Sequence, residues 1–267
     1  MEIKNKIIAV TGAGSGMGRE LTIQLLQKGA KVAMADINEE NLNETESIVG
    51  AKNVSKHVLN IADRESVEKF PAEVMQHHGS VDGIINNAGI IQPFIDVSEL
   101  DYSTIERLVN VNFYGTVYMT KAFLPHLLKR PVAHIANVSS MGGFIPFPGQ
   151  ALYSASKAAV KIFTEGLYSE LKDTNVGVTI IFPGAINTNI MSNSGVERSD
   201  AQQEGEDSGS AKTLPADKAA AIMIKAIEKN KFRVTVGRDA RMLDIFYRLS
   251  PKRAVDMIVK QMGNRKH

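Results

Sequence analysis

Lys6-Ile-Ile-Ala-Val10 runs straight into Thr11-Gly-Ala-Gly-Ser-Gly-Met-Gly18, and that into Arg19-Glu-Leu-Thr-Ile-Gln-Leu-Leu-Gln-Lys28. The first run is short and mostly apolar, the mark of a buried strand. The last repeats apolar residues at helical spacing until Gly29 stops it. A glycine-rich turn therefore joins a strand to a helix N-terminus. Gly12, Gly16 and Gly18 permit a tight turn and let backbone amides come close to a phosphate. The free N–H groups and the dipole of the helix favour negative charge at the same place. Such a motif alone is often only a flexible loop; in strand–turn–helix order it reads as a dinucleotide-binding turn.

Working outward, Lys31-Val-Ala-Met-Ala-Asp36 is a second strand ending in an acid. A carboxylate there can accept hydrogen bonds from ribose hydroxyls and repels a 2′-phosphate. No cation stands at Ser15 or Ile37 to receive such a phosphate. Both features lean to NAD over NADP, although Asp36 could instead only cap the next helix. Strand-like runs recur at about 6–10, 31–36, 54–59, 81–86, 132–138, 176–182 and 232–236, with helical runs between them. This alternation predicts an α/β fold: a doubly wound parallel sheet of about seven strands with helices on both faces, Rossmann-like. The cofactor then lies over the C-terminal strand edges.

Farther along, Tyr153-Ser-Ala-Ser-Lys157 puts a phenol and an ammonium on one helix face. A free phenol titrates near about 10, and a fixed positive neighbour lowers that value. Tyr153 could then take a proton from an alcohol or return one to a ketone. Most Tyr-x-x-x-Lys pairs are ordinary surface neighbours, so the pair carries weight only with its context.

Taken together these segments resemble the short-chain dehydrogenase/reductase family, in its compact single-domain branch. The resemblance runs from Lys6 to about Val236. It rests on Thr11-Gly-x-x-x-Gly16-x-Gly18, on Asn86-Asn-Ala-Gly89 after a strand, and on Val111-Asn112-Phe-Tyr-Gly115-Thr116. Ser140, Tyr153, Lys157 and Pro183-Gly184 with Thr188 follow in order. The resemblance implies a catalytic tetrad of Asn112, Ser140, Tyr153 and Lys157. Tyr153 would be the acid/base, Lys157 would lower its pKa and hold the nicotinamide ribose, Ser140 would steady the substrate oxygen, and Asn112 would position a relay water. Asn110 competes with Asn112, which is preferred because the x-x-Gly-Thr spacing follows it directly. Cofactor contacts are implied from the turn (Gly12, Ser15, Gly16, Met17, Gly18), from the strand ends (Asp36, Ile37, Asn60, Ile61) and from Asn87, Ala88 and Gly89. Tyr153, Lys157, Pro183, Gly184, Ile186 and Thr188 complete that set. Asn60 departs from the family, which usually carries Asp near the end of the third strand; its amide oxygen can still accept the adenine amino hydrogen.

At 267 residues and 43% hydrophobic, the chain can bury one large core, and no repeat of solenoid length is seen. The absence of cysteine rules out disulfides, thiolate metal sites and cysteine nucleophiles. With no room for a signal peptide before the first strand, a cytoplasmic enzyme is expected. The stretch Pro131 to Ser156 is too broken by Ser, Asn, Gly and Pro to span a membrane. His77-His78 reads as a solvated helix end rather than a metal pair, since adjacent residues diverge on a helix. Net charge is +2, but residues 231–267 hold ten Lys/Arg against Asp239, Asp244 and Asp256, a net +7 that leaves −5 for the rest. Without an interleaved aromatic surface, that does not suggest nucleic-acid binding.

The leading expectation is hydride transfer between NAD(H) and an apolar secondary alcohol or ketone. An NADP-dependent ketoreductase and a non-catalytic dinucleotide-binding regulator are the alternatives; the second expects a damaged tetrad, and none is seen. Substrate-pocket candidates come from Ile91 to Phe94, Met141 to Phe147 and Ile190-Met191, which supply Ile91, Phe94, Phe144, Ile145, Phe147, Ile190 and Met191, with Ser140 and Tyr153 as the polar groups. A mobile substrate loop is expected at about 189–213, its acidic part 192–210 acting as a lid. Residues 1–238 form the catalytic domain, and 239–267 a basic extension of two amphipathic helices broken near Ser250-Pro251. That extension would dock on the body or a partner subunit, or make peripheral membrane contact. Implied by the family, a homodimer or homotetramer would pack through Thr104 to Leu128 and Tyr153 to Lys172.

Overall fold

The computed structural model describes residues 1–196 and 213–263. Ile7–Thr11 (β1), Lys31–Asp36 (β2), Val54–Val58 (β3), Gly83–Asn86 (β4), Ala133–Val138 (β5), Val176–Pro183 (β6) and Arg233–Val236 (here β9) form one sheet. Its order is β3-β2-β1-β4-β5-β6-β9, and every neighbouring pair is parallel. Parallel strands need crossovers, and Gly16–Gln27 (α1), Glu39–Val49 (α2), Arg64–His78 (α3), Gly115–Leu127 (α5), Ala151–Leu171 (α6) and Ala216–Glu228 (α8) supply them. The strand order reverses at the β1/β4 junction, where a crevice opens outside the carboxyl ends of the strands. Polar residues start the helices at the expected places. Asn38, Asp63 and Asp101 accept hydrogen bonds from the first-turn amides of α2, α3 and Tyr102–Val109 (α4).

Two apolar layers sandwich the sheet. On one face Leu21 and Leu25 of α1 meet Met223, Ile224 and Ile227 of α8 over Val10, Val32 and Met34. On the other, Phe70 of α3, Phe123 and Leu127 of α5, and Leu167 of α6 cover Ala9, Ile84 and Ile135. Phe70 and Phe123 pack edge to face with centroids 5.4 Å apart, worth about 0.5–1.5 kcal/mol beyond their buried area.

The expected elements differ in three places. β4 begins at Gly83, not at 81, because Asp82 turns its buried carboxylate to the Ile7 amide and to Arg130. A small second sheet pairs Ile186–Asn187 (β7) with Leu214–Pro215 (β8) and ties together the two ends of the 188–213 segment. His78 is no free solvated end: its Nε2 lies 2.9 Å from the Ser55 hydroxyl, and burial first, then nearby positive groups, lowers its pKa to about 4. Past β9, Arg238–Leu249 (α9) and Pro251–Gly263 (α10) meet at Ser250. The short helix Ile190–Asn193 (α7) opens the segment that was expected to be a lid; residues 197–212 of it lie outside the described residues. None of the described helices is long and apolar enough to cross a membrane.

Candidate active site

The glycine turn is built by close approach. A Cβ on Gly18 would lie 1.8 Å from the Gly12 carbonyl oxygen, so α1 can start against β1 only with glycine there. Gly12 and Gly16 take φ of 67° and 49°, values that glycine adopts without strain. Thr11 fastens the turn to the neighbouring strand: its hydroxyl accepts from the Asn87 and Ala88 amides, both at 3.0 Å. Asp36 closes the other side, accepting from the Gly14 amide at 2.9 Å and the Asn38 amide at 3.0 Å.

Between these walls lies a cavity of about 300 Å³. Gly12, Ser15, Gly16 and Met17 line its floor, Asp36, Ile37, Asn60 and Ile61 one end, and Asn87, Ala88, Gly89, Thr188 and Ile190 the other. Every one of these was expected from the sequence. Gly18 is instead a packing glycine, while Pro183, Gly184 and Ile186 stand off the cavity wall. The cavity suits a dinucleotide on local grounds: a glycine turn walled closely by Asn87, Ala88 and Thr188, an acid at one end, and the buried Asn87 Oδ1 with no partner of its own.

Asn112, Ser140, Tyr153 and Lys157 come together beyond the Gly89 end. A Cβ on Gly89 would meet Lys157 Nζ at 2.9 Å and Asn112 Oδ1 at 3.1 Å. A Cβ on Gly142 would meet the Tyr153 ring at 3.4 Å and Ser140 Oγ at 3.5 Å. Asn112 sits in a wide π-type turn, Asn110–Tyr114, between α4 and α5. Fully buried, it accepts from the Ile90 amide at 2.8 Å and donates to the Ile90 carbonyl at 3.0 Å and to Ser156 Oγ at 3.0 Å. Asn110 is exposed, which separates the two candidates. Lys157 is buried and donates to the Val138 carbonyl at 3.2 Å. Desolvation brings its pKa down to about 8.

The phenol differs from expectation. Burial pushes the Tyr153 pKa up, and only the Ser140 hydroxyl opposes the shift by hydrogen bonding. The ammonium is turned to Val138 and Gly89, so desolvation wins over attraction.

Sequence reasoning passed over Gln92 and Arg107. Gln92 is fully buried; its Oε1 accepts from the Tyr153 amide at 2.9 Å and its Nε2 donates to the Gly149 carbonyl at 3.0 Å. Arg107 lines the cavity and donates to the Ser194 carbonyl at 2.7 Å, fastening the end of α7. Asn193 reaches Ser15 Oγ at 2.8 Å from the same element. Of the expected substrate-pocket set, Ile190 lines the cavity and Ser140 stands beside Tyr153. Phe144 lies off the wall of this cavity. Its ring packs on Phe182 at 5.4 Å under the Arg233 guanidinium, because the turn after Ser140 folds against β6 and the tail helices. Phe147 joins Ile145, Leu243 and Ile258 in the same cluster. Phe94 and Met191 lie off the cavity wall, Phe94 against the Gly149 backbone.

Comparison with known proteins agrees with this architecture. The short chain dehydrogenase family model matches residues 6–199. The chain is 37% identical over 253 residues to the oxidoreductase SadH of Mycobacterium tuberculosis, covering 92% of this chain and 91% of that one. It is 36% identical over 194 residues to the 3-oxoacyl-[acyl-carrier-protein] reductase FabG of Thermotoga maritima, covering 70% and 77%. Among solved structures, a short chain dehydrogenase/reductase from Burkholderia phymatum in complex with NAD superposes with a TM-score of 0.80 at 25% identity, covering 88% of this chain and 90% of that one. A short chain dehydrogenase from Burkholderia cenocepacia in complex with NADP gives 0.81 at 26% identity, covering 97% and 99%. With these matches on top of its sheet order and glycine turn, the chain belongs to the short-chain dehydrogenase/reductase family and is an oxidoreductase that works with a nicotinamide dinucleotide.

Proposed function

We propose that this enzyme interconverts an apolar secondary alcohol and its ketone with NAD(H), using Tyr153 as the acid/base. The observation that carries this reading is the convergence of Ser140, Tyr153, Lys157 and Asn112 around Gly89 and Gly142, at the end of the cavity away from Asp36. When bound, the nicotinamide supplies the hydride chemistry. The chain holds the rest. The Ser140 hydroxyl orients the substrate oxygen beside the phenol. Tyr153 delivers its proton to that oxygen in reduction and removes it in oxidation. Because burial raises its pKa, Tyr153 rests as the neutral phenol, the form that donates. Lys157 and Asn112 flank Gly89, where a nicotinamide ribose and a relay water would lie. The apolar residues Met141, Ile91 and Ile190 suit an apolar substrate.

NAD is preferred to NADP on the strength of Asp36. Its carboxylate lines the cavity and is held by the Gly14 and Asn38 amides, and no cation stands at Ser15 or Ile37. A 2′-phosphate placed there would meet like charge. One set of assays tests the whole reading: steady-state kinetics with NAD and NADP on a panel of secondary alcohols, repeated for Tyr153→Phe and Asp36→Ala. The expected result is a higher kcat/KM with NAD, a smaller ratio in Asp36→Ala, and no turnover in Tyr153→Phe despite near-native NADH binding. Full activity of Tyr153→Phe overturns the mechanism, and a wild-type preference for NADP overturns the cofactor assignment.

A further inference from the structure

The tail helices bury one face and leave another uncovered. Leu243 of α9 and Ala254 and Ile258 of α10 pack on Ile145, with Phe246, Tyr247 and Met262 around them. Arg233 holds α9 in place through two hydrogen bonds to Asp244, at 2.6 and 2.9 Å. This docking accounts for only part of the apolar surface of α9. Met242, Ile245 and Leu249 are 70%, 52% and 79% exposed. At about 100° per residue these three fall on one line along the helix, opposite Ala240, Leu243 and Tyr247. Arg238 lies on that same line, with Arg241 and Arg248 along one flank. Asp239 and Asp244 are turned away: Asp239 accepts from the Ala185 amide, and Asp244 pairs with Arg233 and Arg248. The outward face of α9 is therefore apolar and basic without an acid. Beside it, α10 exposes Val259, Arg253 and Lys260, together with Lys252 in an ion pair with the exposed Asp256 at 2.7 Å.

We propose that this face of α9, extended by α10, rests on an anionic lipid bilayer. An exposed apolar stripe flanked by arginines matches an interfacial helix, whose side chains enter the headgroup boundary while the cations meet lipid phosphates. A second copy of the same face fits less well. Two-fold pairing would bring the arginines of the two copies, Arg238, Arg241 and Arg248, onto one surface, and like charges in contact oppose association. The orientation also connects to the site. The buried side of α9 and α10 packs on the Met141–Phe147 turn that follows Ser140, so a bilayer on the far side of α9 would lie about one helix diameter from that turn.

Co-sedimentation of the full chain with equimolar phosphatidylglycerol/phosphatidylcholine vesicles at low salt tests the proposal. The chain is expected to pellet with these vesicles and not with pure phosphatidylcholine. Arg238→Gln/Arg241→Gln should weaken binding about twenty-five-fold, about fivefold for each charge. Leu249→Asp should abolish it while NADH affinity and circular dichroism stay native, since the side chain points to solvent. Failure of the wild-type chain to pellet overturns the proposal, as does binding that survives Leu249→Asp. A Leu249→Asp variant that changes the mass in light scattering, with no vesicle binding by the wild type, would identify the face as a protein interface instead.

Discussion

Lys157 is buried and Tyr153 half-buried, and desolvation acts on them in opposite directions. A buried ammonium is disfavoured, so the folded pKa of Lys157 falls from 10.5 to about 8. Between those values the unfolded chain carries a proton that the folded chain has lost, so stability rises with pH across the interval. Tyr153 pulls the other way above its reference of 10.0, because its folded pKa is raised and the unfolded chain ionises first. The window in which Lys157 acts alone is therefore pH 8 to 10. Urea unfolding of the cofactor-free protein should show its stability climbing by about 1–2 kcal/mol across that window from this residue. Lys157→Met keeps the apolar stem and removes the titration, so its stability curve should lack this component. Identical pH dependence in the two proteins would show that the ammonium is not desolvated as the structure has it.

The helix that carries Tyr153 and Lys157 is anchored by a residue distant in sequence. Tyr153 lies in the first turn of α6, where amides have no intrahelical acceptor. Gln92 supplies that acceptor, and Gln150 returns the link by donating to the Gln92 carbonyl at 2.9 Å. Gln92→Met, similar in shape but without hydrogen bonds, would leave the Tyr153 amide and the Gly149 carbonyl unpaired. That should cost roughly 1–3 kcal/mol per group and let the start of α6 shift. Turnover should fall by about tenfold or more with NADH affinity unchanged, since small misplacements at a reacting centre are costly. A proportional loss of NADH binding would instead indicate a general loss of structure. Elements with a strong period were legible in the sequence: the glycine turn, the apolar strands, and the Tyr153–Lys157 face of α6. The β7/β8 ladder was not, because strands of two residues have no period. Gln92 and Arg107 were hidden for a different reason. Both act on backbone atoms far away in the chain, at Tyr153 and Ser194, and no local spacing announces such contacts. Phe144 follows Ser140 as a pocket wall would, and its contacts with Phe182 and Arg233, distant in the chain, carry no local signal.

At the scale of the whole molecule, α5 and α6 cover the sheet with one side and face solvent with the other. Val160, Leu167 and Leu171 are buried, so that part of the expected apolar stripe belongs to the core. Ile162 is 62% exposed, and Gly166, one turn later, faces open space where another helix could approach closely. Tyr114 and Leu128 add apolar surface at the two ends of α5, Tyr114 stacking on Tyr118 with centroids 5.9 Å apart. These exposed apolar residues are the surface through which two copies are expected to meet. Association of two copies through α5 and α6 is the expected outcome, and it leaves α9 free for lipid. Light scattering at micromolar concentration should give a dimer or tetramer mass for the native chain. Ile162→Asp should lower that mass, because it would bury two uncompensated carboxylates at a two-fold contact. Its secondary structure should stay native, since the side chain touches solvent in the isolated subunit. A monomeric mass for the native chain would refute the assembly, and an unchanged mass for Ile162→Asp would move the contact away from α6.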